Sequence, residues 1–231
     1  MVTRYDVRLL HKKEVAEHTL EFTLEKPQGF EYRAGQFGDI VLPASTGLDE
    51  SHNKHGFSFA SAPFEDTLRM ATLMRPSKFK QAAAQVPDGT VVGLLALWGS
   101  FTLHKNADIP AVFITSGIGI TPVRGIIAQA THEQARHDIT LIYANASRAQ
   151  TAYHEEFVQL AARNPHFRYL PVFTQAQGPL TAEALRSQVS KLAAAIVYLS
   201  GAKSTIASMR ALALQAGADE DQLRTEEFEG Y

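Results

Sequence analysis

The run Thr115-Ser116-Gly117-Ile118-Gly119-Ile120-Thr121-Pro122 follows directly on the apolar stretch Ala111-Val112-Phe113-Ile114. An apolar strand feeding a Gly-x-Gly turn and then a helix start brings bare backbone up to a pyrophosphate. The glycines remove side chains that would block the approach, and the helix N-terminus offers free N–H groups and a positive dipole end. Pro122 is tolerated at a first helical position because its missing N–H has no partner there. Thr115, Gly117, Gly119, Thr121 and Pro122 are therefore the candidate dinucleotide contacts. An ordinary tight turn is the competing reading, and the flanking strand and helix weigh against it.

The following strand end bears on which dinucleotide. A dehydrogenase that reads an unmodified ribose places an acid there. This chain has Ala144-Asn145-Ala146-Ser147-Arg148, and then Tyr153. Ser147 and Arg148 suit a 2′-phosphate, with Tyr153 against the adenine. A solvated arginine on a surface loop is the alternative.

A second cluster lies earlier, at His55-Gly56-Phe57-Ser58-Phe59-Ala60-Ser61-Ala62-Pro63. Phe57 and Phe59, two apart on a strand, share a face, which for Phe59 reads as core; Ser58 faces the other way. Glu50, His52 and His55 lack the regular spacing of a metal site and read as a polar loop. Glu226 and Glu227 occupy adjacent, opposite-facing strand positions, a poor arrangement for paired acid–base work.

These residues must be held by two kinds of architecture. Up to about residue 100 the chain alternates in short strands, at Leu20 to Leu24, Phe37 to Leu42, Phe57 to Phe59, Leu68 to Met74 and Val91 to Leu97. Pro27-Gln28-Gly29, Ala34-Gly35, Ala62-Pro63 and Pro87-Asp88-Gly89 punctuate them. One helix, capped by Ser77, covers Phe79 to Gln85. After Asn106 strands alternate with helices: strand 111–115, a helix from about Pro122 to His137, strand 140–144, helix 153–163 and strand 167–173. Helix 181–191, strand 196–200, helix 204–215 and strand 223–228 complete the run. The expected fold class is β + α/β: a small antiparallel barrel over 1–106, then a parallel sheet covered on both faces over 107–231.

The 231 residues carry a net charge of −2, which gives no electrostatic case for nucleic acid or an anionic membrane. There is no cysteine, so disulfides, thiolate nucleophiles and cysteine-held iron–sulfur clusters are excluded on this chain. The first residues, Met1 to Asp6, lack the apolar core of a signal peptide, and Val91 to Trp98 is too short to span a bilayer. A cytoplasmic protein is expected.

The two halves together resemble the ferredoxin–NADP+ reductase-like flavoproteins, along essentially the whole chain. Arg33-Ala34-Gly35-Gln36-Phe37 is similar to that family's turn into a strand, and His55 to Pro63 to its Arg-x-Tyr-Ser flavin motif. Arg75-Pro76-Ser77-Lys78-Phe79, Gly99-Ser100-Phe101-Thr102-Leu103 and the Gly-x-Gly-x-x-Pro turn match in order. Ser200-Gly201-Ala202 resembles its Cys-Gly-Pro turn, and Glu227-Phe228-Glu229-Gly230-Tyr231 its aromatic C-terminus.

The resemblance implies a barrel that binds FAD, with FMN less favoured, and a second domain for a pyridine nucleotide; Ser147, Arg148 and the missing acid favour NADP(H) over NAD(H). It implies that Phe57 packs on the isoalloxazine, that Ser58 hydrogen-bonds near flavin N5, and that Ser77 with its neighbours Arg75 and Phe79 takes flavin phosphate. His55 and Gly56 complete the flavin motif. Tyr231 would stack on the other ring face, Ser200 and Glu229 would flank the hydride path, and Gly201 belongs to the nucleotide side. His55 replaces an arginine, Phe57 a tyrosine and Ser200 a cysteine. The expected activity is hydride transfer from NAD(P)H to bound flavin, with electrons passed to ferredoxin, flavodoxin or a similar acceptor protein. A reductase of free flavin and a non-catalytic flavin- or nucleotide-binding regulatory module are the alternatives.

Overall fold

The computed structural model describes residues 3–228, the side chain of Leu97 aside. Six strands form the first sheet: β1 (Thr3–Ala16), β2 (Thr19–Glu25), β3 (Phe37–Val41), β4 (Lys54–Ser58), β5 (Thr67–Leu73) and β6 (Val91–Trp98). They pair antiparallel in the order β4-β3-β6-β1-β2-β5. An antiparallel bridge between Phe59 and Met70 joins the two edges, so the sheet curls into a barrel without a long open edge. Phe57 and Phe59 both turn inward with Phe22, Leu24, Leu68 and Met70. The one helix here, α1 (Lys78–Gln85), is capped by Ser77, whose hydroxyl accepts from the Lys80 N–H at 3.1 Å.

The long central strand β1 has no counterpart in the hydrophobic pattern. Among its residues only Val7 and Leu9 are buried, and most of the others are charged or exposed. Its place is fixed by backbone ladders to β2 and β6, which any residue type can supply.

The second half contains β7 (Ala111–Ser116), α2 (Ile120–His132), β8 (Ile139–Asn145), α3 (His154–Arg163) and β9 (Phe167–Phe173). It continues through α4 (Thr174–Gln177), α5 (Ala182–Gln188), β10 (Ile196–Ala202), α6 (Lys203–Gln215) and β11 (Leu223–Phe228). These strands are parallel in the order β11-β10-β7-β8-β9. Phe113 and Tyr143 point to one covered face, Ile114 and Ile142 to the other. The order reverses at β7, and the crevice outside the carboxyl ends of the strands is where such sheets bind ligands.

The helix after the glycine turn stops at His132, short of the expected His137, where Gln134 takes a left-handed φ of 53°. His137 instead turns inward, its Nε2 2.8 Å from the carbonyl of His104 in the connection between the sheets. The helix expected over 181–191 likewise ends at Gln188. No helix among the described residues is long and apolar enough to cross a membrane.

Candidate functional site: a turn, a groove and an inter-sheet cleft

The two glycines of the turn do different work. Gly117 has φ 54°, and a Cβ placed there would meet nothing within 4 Å. It is a bare, left-handed position open to a ligand. A Cβ on Gly119 would come within 2.2 Å of the Ser200 carbonyl oxygen and 2.4 Å of Thr115 Oγ1. That glycine lets the turn settle onto the ends of β7 and β10. Thr115 Oγ1 donates to the Ser200 carbonyl (2.9 Å), and Ser200 Oγ donates to the Gly119 carbonyl (2.7 Å).

Ser200, expected beside a hydride path, is therefore a correction. It is 0% exposed and clamps the turn from beneath, as does Thr115. The end of β10 runs under the turn, so a small hydroxyl there meets backbone rather than ligand. Thr121 Oγ1 donates to the Ile118 carbonyl (3.1 Å), and Pro122 falls in the first turn of α2 as expected.

Two residues at the end of β8 hold Gly117 in place. Tyr143 Oη donates to its carbonyl at 2.9 Å, and its N–H donates to Asn145 Oδ1 at 2.9 Å. The acceptor role fixes that oxygen, so the amide nitrogen faces elsewhere. Asn145 is 6% exposed and its Nδ2 is buried without a hydrogen-bond partner. A buried orphan donor of this kind is costly unless a ligand meets it. Asn145 borders a groove of about 370 Å³, shared with Ser116, Thr174, Ser204 and Thr205. Ser204 and Thr205 belong to the first turn of α6, whose N–H groups and dipole favour an anion. Gly201, at φ 143°, leads from β10 into that helix. A chain of hydroxyls, an orphan amide and a helix start fits the ribose and phosphate portions of a dinucleotide. Tyr143 and Asn145 went unnoticed in the sequence; their two-residue spacing at a strand end after the glycine turn was the available signal.

The expected 2′-phosphate residues lie farther along the same connection. Ser147, half-buried, and Arg148 sit in a bend, and Arg148 is ion-paired with Glu155, each of that pair about two-thirds exposed. Tyr153 corrects the reading that placed it against adenine. It is buried, with φ 61°, and its hydroxyl donates to Glu21 of β2 at 2.7 Å. Arg69 of β5 lies over its ring, 5.8 Å from the centroid. The barrel uses this ring as packing, which removes it from any ligand face.

The turn opens on its other side into a cleft of about 360 Å³ between the two sheets. Phe37, His55, Phe57 and Ser58 line it from the barrel, Ile118 and Thr121 from the glycine turn. Gly56 lies on the same wall. Phe57 is buried, its ring 6.1 Å from Phe22 and 5.9 Å from Phe79, so it presents a fixed aromatic surface. Burial, then the nearby Lys80 ammonium, holds the His55 imidazole below its ordinary pKa. His55 is thus a neutral hydrogen-bonding group near neutral pH. Phe79 is a further correction: as the second residue of α1 it points inward, packs on His55 and Phe57, and belongs to the barrel core. Arg75 and Ser77 remain exposed at the start of α1. An apolar slot with aromatic walls and a serine fits a planar heteroaromatic ring.

Glu226 and Glu227 border the same cleft from β11. Burial pushes the Glu226 carboxyl up to about 7. Strand alternation marks them only as a poor acid–base pair and gives no hint that the rim of the cleft desolvates one of them. His52 is hydrogen-bonded to Asp49 (2.7 Å) in an exposed loop. Glu229 and Tyr231 lie outside the described residues.

The family model of an oxidoreductase NAD-binding domain matches residues 113–211. An NADPH oxidoreductase of Mycobacterium tuberculosis is 28% identical over 205 residues, covering 86% of this chain and 53% of that protein. Component C of methane monooxygenase from Methylosinus trichosporium is 31% identical over 135 residues, 57% of this chain and 37% of that protein. The chain thus spans about half or less of the length of these curated relatives. A ferredoxin NADP+ reductase of Neisseria gonorrhoeae, solved with bound FAD and NADP, superposes with a TM-score of 0.81 at 19% identity, covering 98% of this chain and 99% of that one. Residues 113–211 thus match an oxidoreductase NAD-binding domain, and the fold of the whole chain is that of this ferredoxin NADP+ reductase.

Proposed function

We propose that this chain is a flavin-dependent NAD(P)H oxidoreductase, or that part of a longer one, which takes hydride from the coenzyme onto bound flavin and passes electrons to a separate acceptor. A single observation carries the reading: the aromatic wall of the barrel and the dinucleotide turn open into one cleft, with Phe57 and Ser58 facing Ile118 and Thr121. Bound flavin would supply the redox chemistry, accepting hydride from reduced nicotinamide and releasing electrons onward. The chain supplies alignment. Phe57 bears the ring, Ser58 offers a hydroxyl beside it, and Gly117 admits the pyrophosphate without a side chain in the way.

FAD is the proposed flavin, with its phosphates at the start of α1 among Ser77, Arg75 and the neutral His55. NADPH is proposed over NADH, on two observations. The end of β8 has Asn145 in place of an acid, and Arg148 is held only by an exposed ion pair, which costs little to exchange for a phosphate. The acceptor is proposed to be a ferredoxin, a flavodoxin or an oxygenase component; relatives named as a ferredoxin–NADP reductase and as reductase components of phenol and propane monooxygenases support the first and last of these. From the family resemblance alone, Glu229 is proposed beside the hydride path and Tyr231 on the other face of the flavin.

Purified protein should be yellow, release FAD on denaturation, and reduce an artificial acceptor with NADPH faster than with NADH. A colourless protein whose fluorescence and stability do not respond to FAD or FMN overturns the reading. Colourless protein that nonetheless turns over added flavin with NAD(P)H identifies a free-flavin reductase instead, the outcome favoured by His55 in place of a cationic phosphate ligand.

A further inference from the structure

Arg124 sits on α2 one turn after the dinucleotide turn, and its side chain is 4% exposed. Its guanidinium reaches across to the barrel. Nη1 donates to the Ala60 carbonyl at 3.0 Å, two residues after Ser58, and to Glu65, whose other carboxylate oxygen accepts from Nη2 at 3.0 Å. Nη2 also donates to Glu156 on α3. Glu65 in turn accepts from the Ala62 N–H and from Arg69. Burial pushes the Glu65 carboxyl up, yet the hydrogen bonds and charge of Arg124 outweigh this and hold it below the ordinary carboxylate value.

The next residue, Gly125, makes the joint close. A Cβ there would come within 2.8 Å of the Ser61 carbonyl oxygen and 3.0 Å of that of Phe59. The helix backbone therefore rests directly on the segment that continues from the aromatic wall of the cleft. The same helix begins with Ile120 and Thr121, directly after Ile118 and Gly119, and Ile118 and Thr121 line the opposite wall. Helix and strand are each stiff, so the distance at this joint sets the distance across the cleft.

We propose that Arg124 and Gly125, with Glu65, are positioning residues that fix the spacing between the two walls of the cleft and so bring nicotinamide to the flavin. The functional half of this statement rests on the reductase reading above. A forked, bidentate guanidinium fixes angle as well as distance, which a lysine ammonium does not. A methyl group at residue 125 forces helix and strand apart.

The test uses Gly125→Ala and Arg124→Lys in the full chain. Spacing is read by electron–electron distance measurements between spin labels on Asp88→Cys and Glu183→Cys, both exposed positions, one in each half. The absence of native cysteine makes the labelling clean. Gly125→Ala should shift or broaden the distance distribution. Flavin content should stay at the wild-type level, and the limiting rate of flavin reduction at saturating coenzyme should fall about 10- to 100-fold. The coenzyme Kd should move by about threefold or less, since the groove at the end of β8 is untouched. Arg124→Lys should act in the same direction; if that variant fails to fold, Gly125→Ala decides.

A Gly125→Ala distribution that overlays the wild type overturns the proposal. A shifted distribution with an unchanged limiting rate, or with the whole loss in Kd, also overturns it. Wild-type protein that neither coenzyme reduces defeats the reductase reading instead, and the distance measurement then still decides whether this joint sets the spacing.

Discussion

Residues that look alike in the sequence have separate duties here. Gly117 is free for a ligand, whereas Gly119 exists because backbone lies where its Cβ would be. Gly119→Ala should therefore destabilise the fold by about 3 kcal/mol through forced repacking, seen as a lower denaturant midpoint in flavin-free protein. Asn145→Ala removes the acceptor that holds Gly117 and the orphan amide beside the groove. It should weaken coenzyme binding by about 1–3 kcal/mol while flavin content stays unchanged, measured by titration with NADP+. An undiminished affinity would show that the groove serves something else.

Glu226 makes a pH-dependent prediction at the same scale. Its carboxyl titrates near the ordinary 4.5 in the unfolded chain and near 7 in the folded one. The raised value means that its contribution favours the native state below pH 4.5 and is lost as pH rises to about 7. Glu226→Gln should thus gain stability over wild type progressively across that window and hold a constant margin above it. The side chain is partly open to water, which moderates the size of the effect. Thermal melts of both proteins at a series of pH values test it; parallel curves would mean that the carboxyl is not desolvated.

At the scale of elements, α1 would make a helix cap and the proposed flavin-phosphate site share one atom. The Ser77 oxygen accepts from the Lys80 N–H, while its own hydrogen and the remaining N–H groups of the first turn stay available to an anion. Aspartate caps a helix as well as serine does, so Ser77→Asp should preserve or raise the melting temperature of flavin-free protein. The same carboxylate repels phosphate and should lower flavin affinity by about tenfold or more, measured by fluorescence quenching on titration with FAD. Equal affinity would move the flavin phosphates away from α1. Strand β1 teaches a different lesson. It contributes few buried side chains and yet sits between β2 and β6, so its contribution is a two-sided ladder.

At the scale of the whole molecule, the halves are joined by a buried seam of charge. Arg69 and Arg124 meet Glu21, Glu65 and Glu156, and Tyr153 adds its hydroxyl to Glu21. The end of β1 extends the seam, with Glu17 N–H donating to the Ala149 carbonyl at 2.9 Å. Tyr153→Phe should leave Glu21 one donor short in a buried place and cost about 1–3 kcal/mol of unfolding free energy. The coenzyme Kd should not change, because the ring is packing. A drop in NADPH affinity with unchanged stability would restore Tyr153 to the ligand.

The sequence by itself determined the two kinds of sheet and the order of their elements, β1 and the short α4 apart, since period-two alternation and strand–helix alternation are local signals. It also located the glycine turn, which stands between an apolar strand and a helix start, and the aromatic pair Phe57 and Phe59. Tertiary structure alone decided what meets those residues. Ser200 became a buried clamp because β10 passes beneath the turn, and Phe79 became core because α1 lies inward-facing over the barrel. Tyr153 was drawn into the seam by Glu21, more than a hundred residues away in the chain. Asn145 acquired its partner, and Glu226 its desolvation, only when distant segments packed around them. Hydrogen-bond partners and burial are properties of neighbours in space, and no spacing along the chain encodes them.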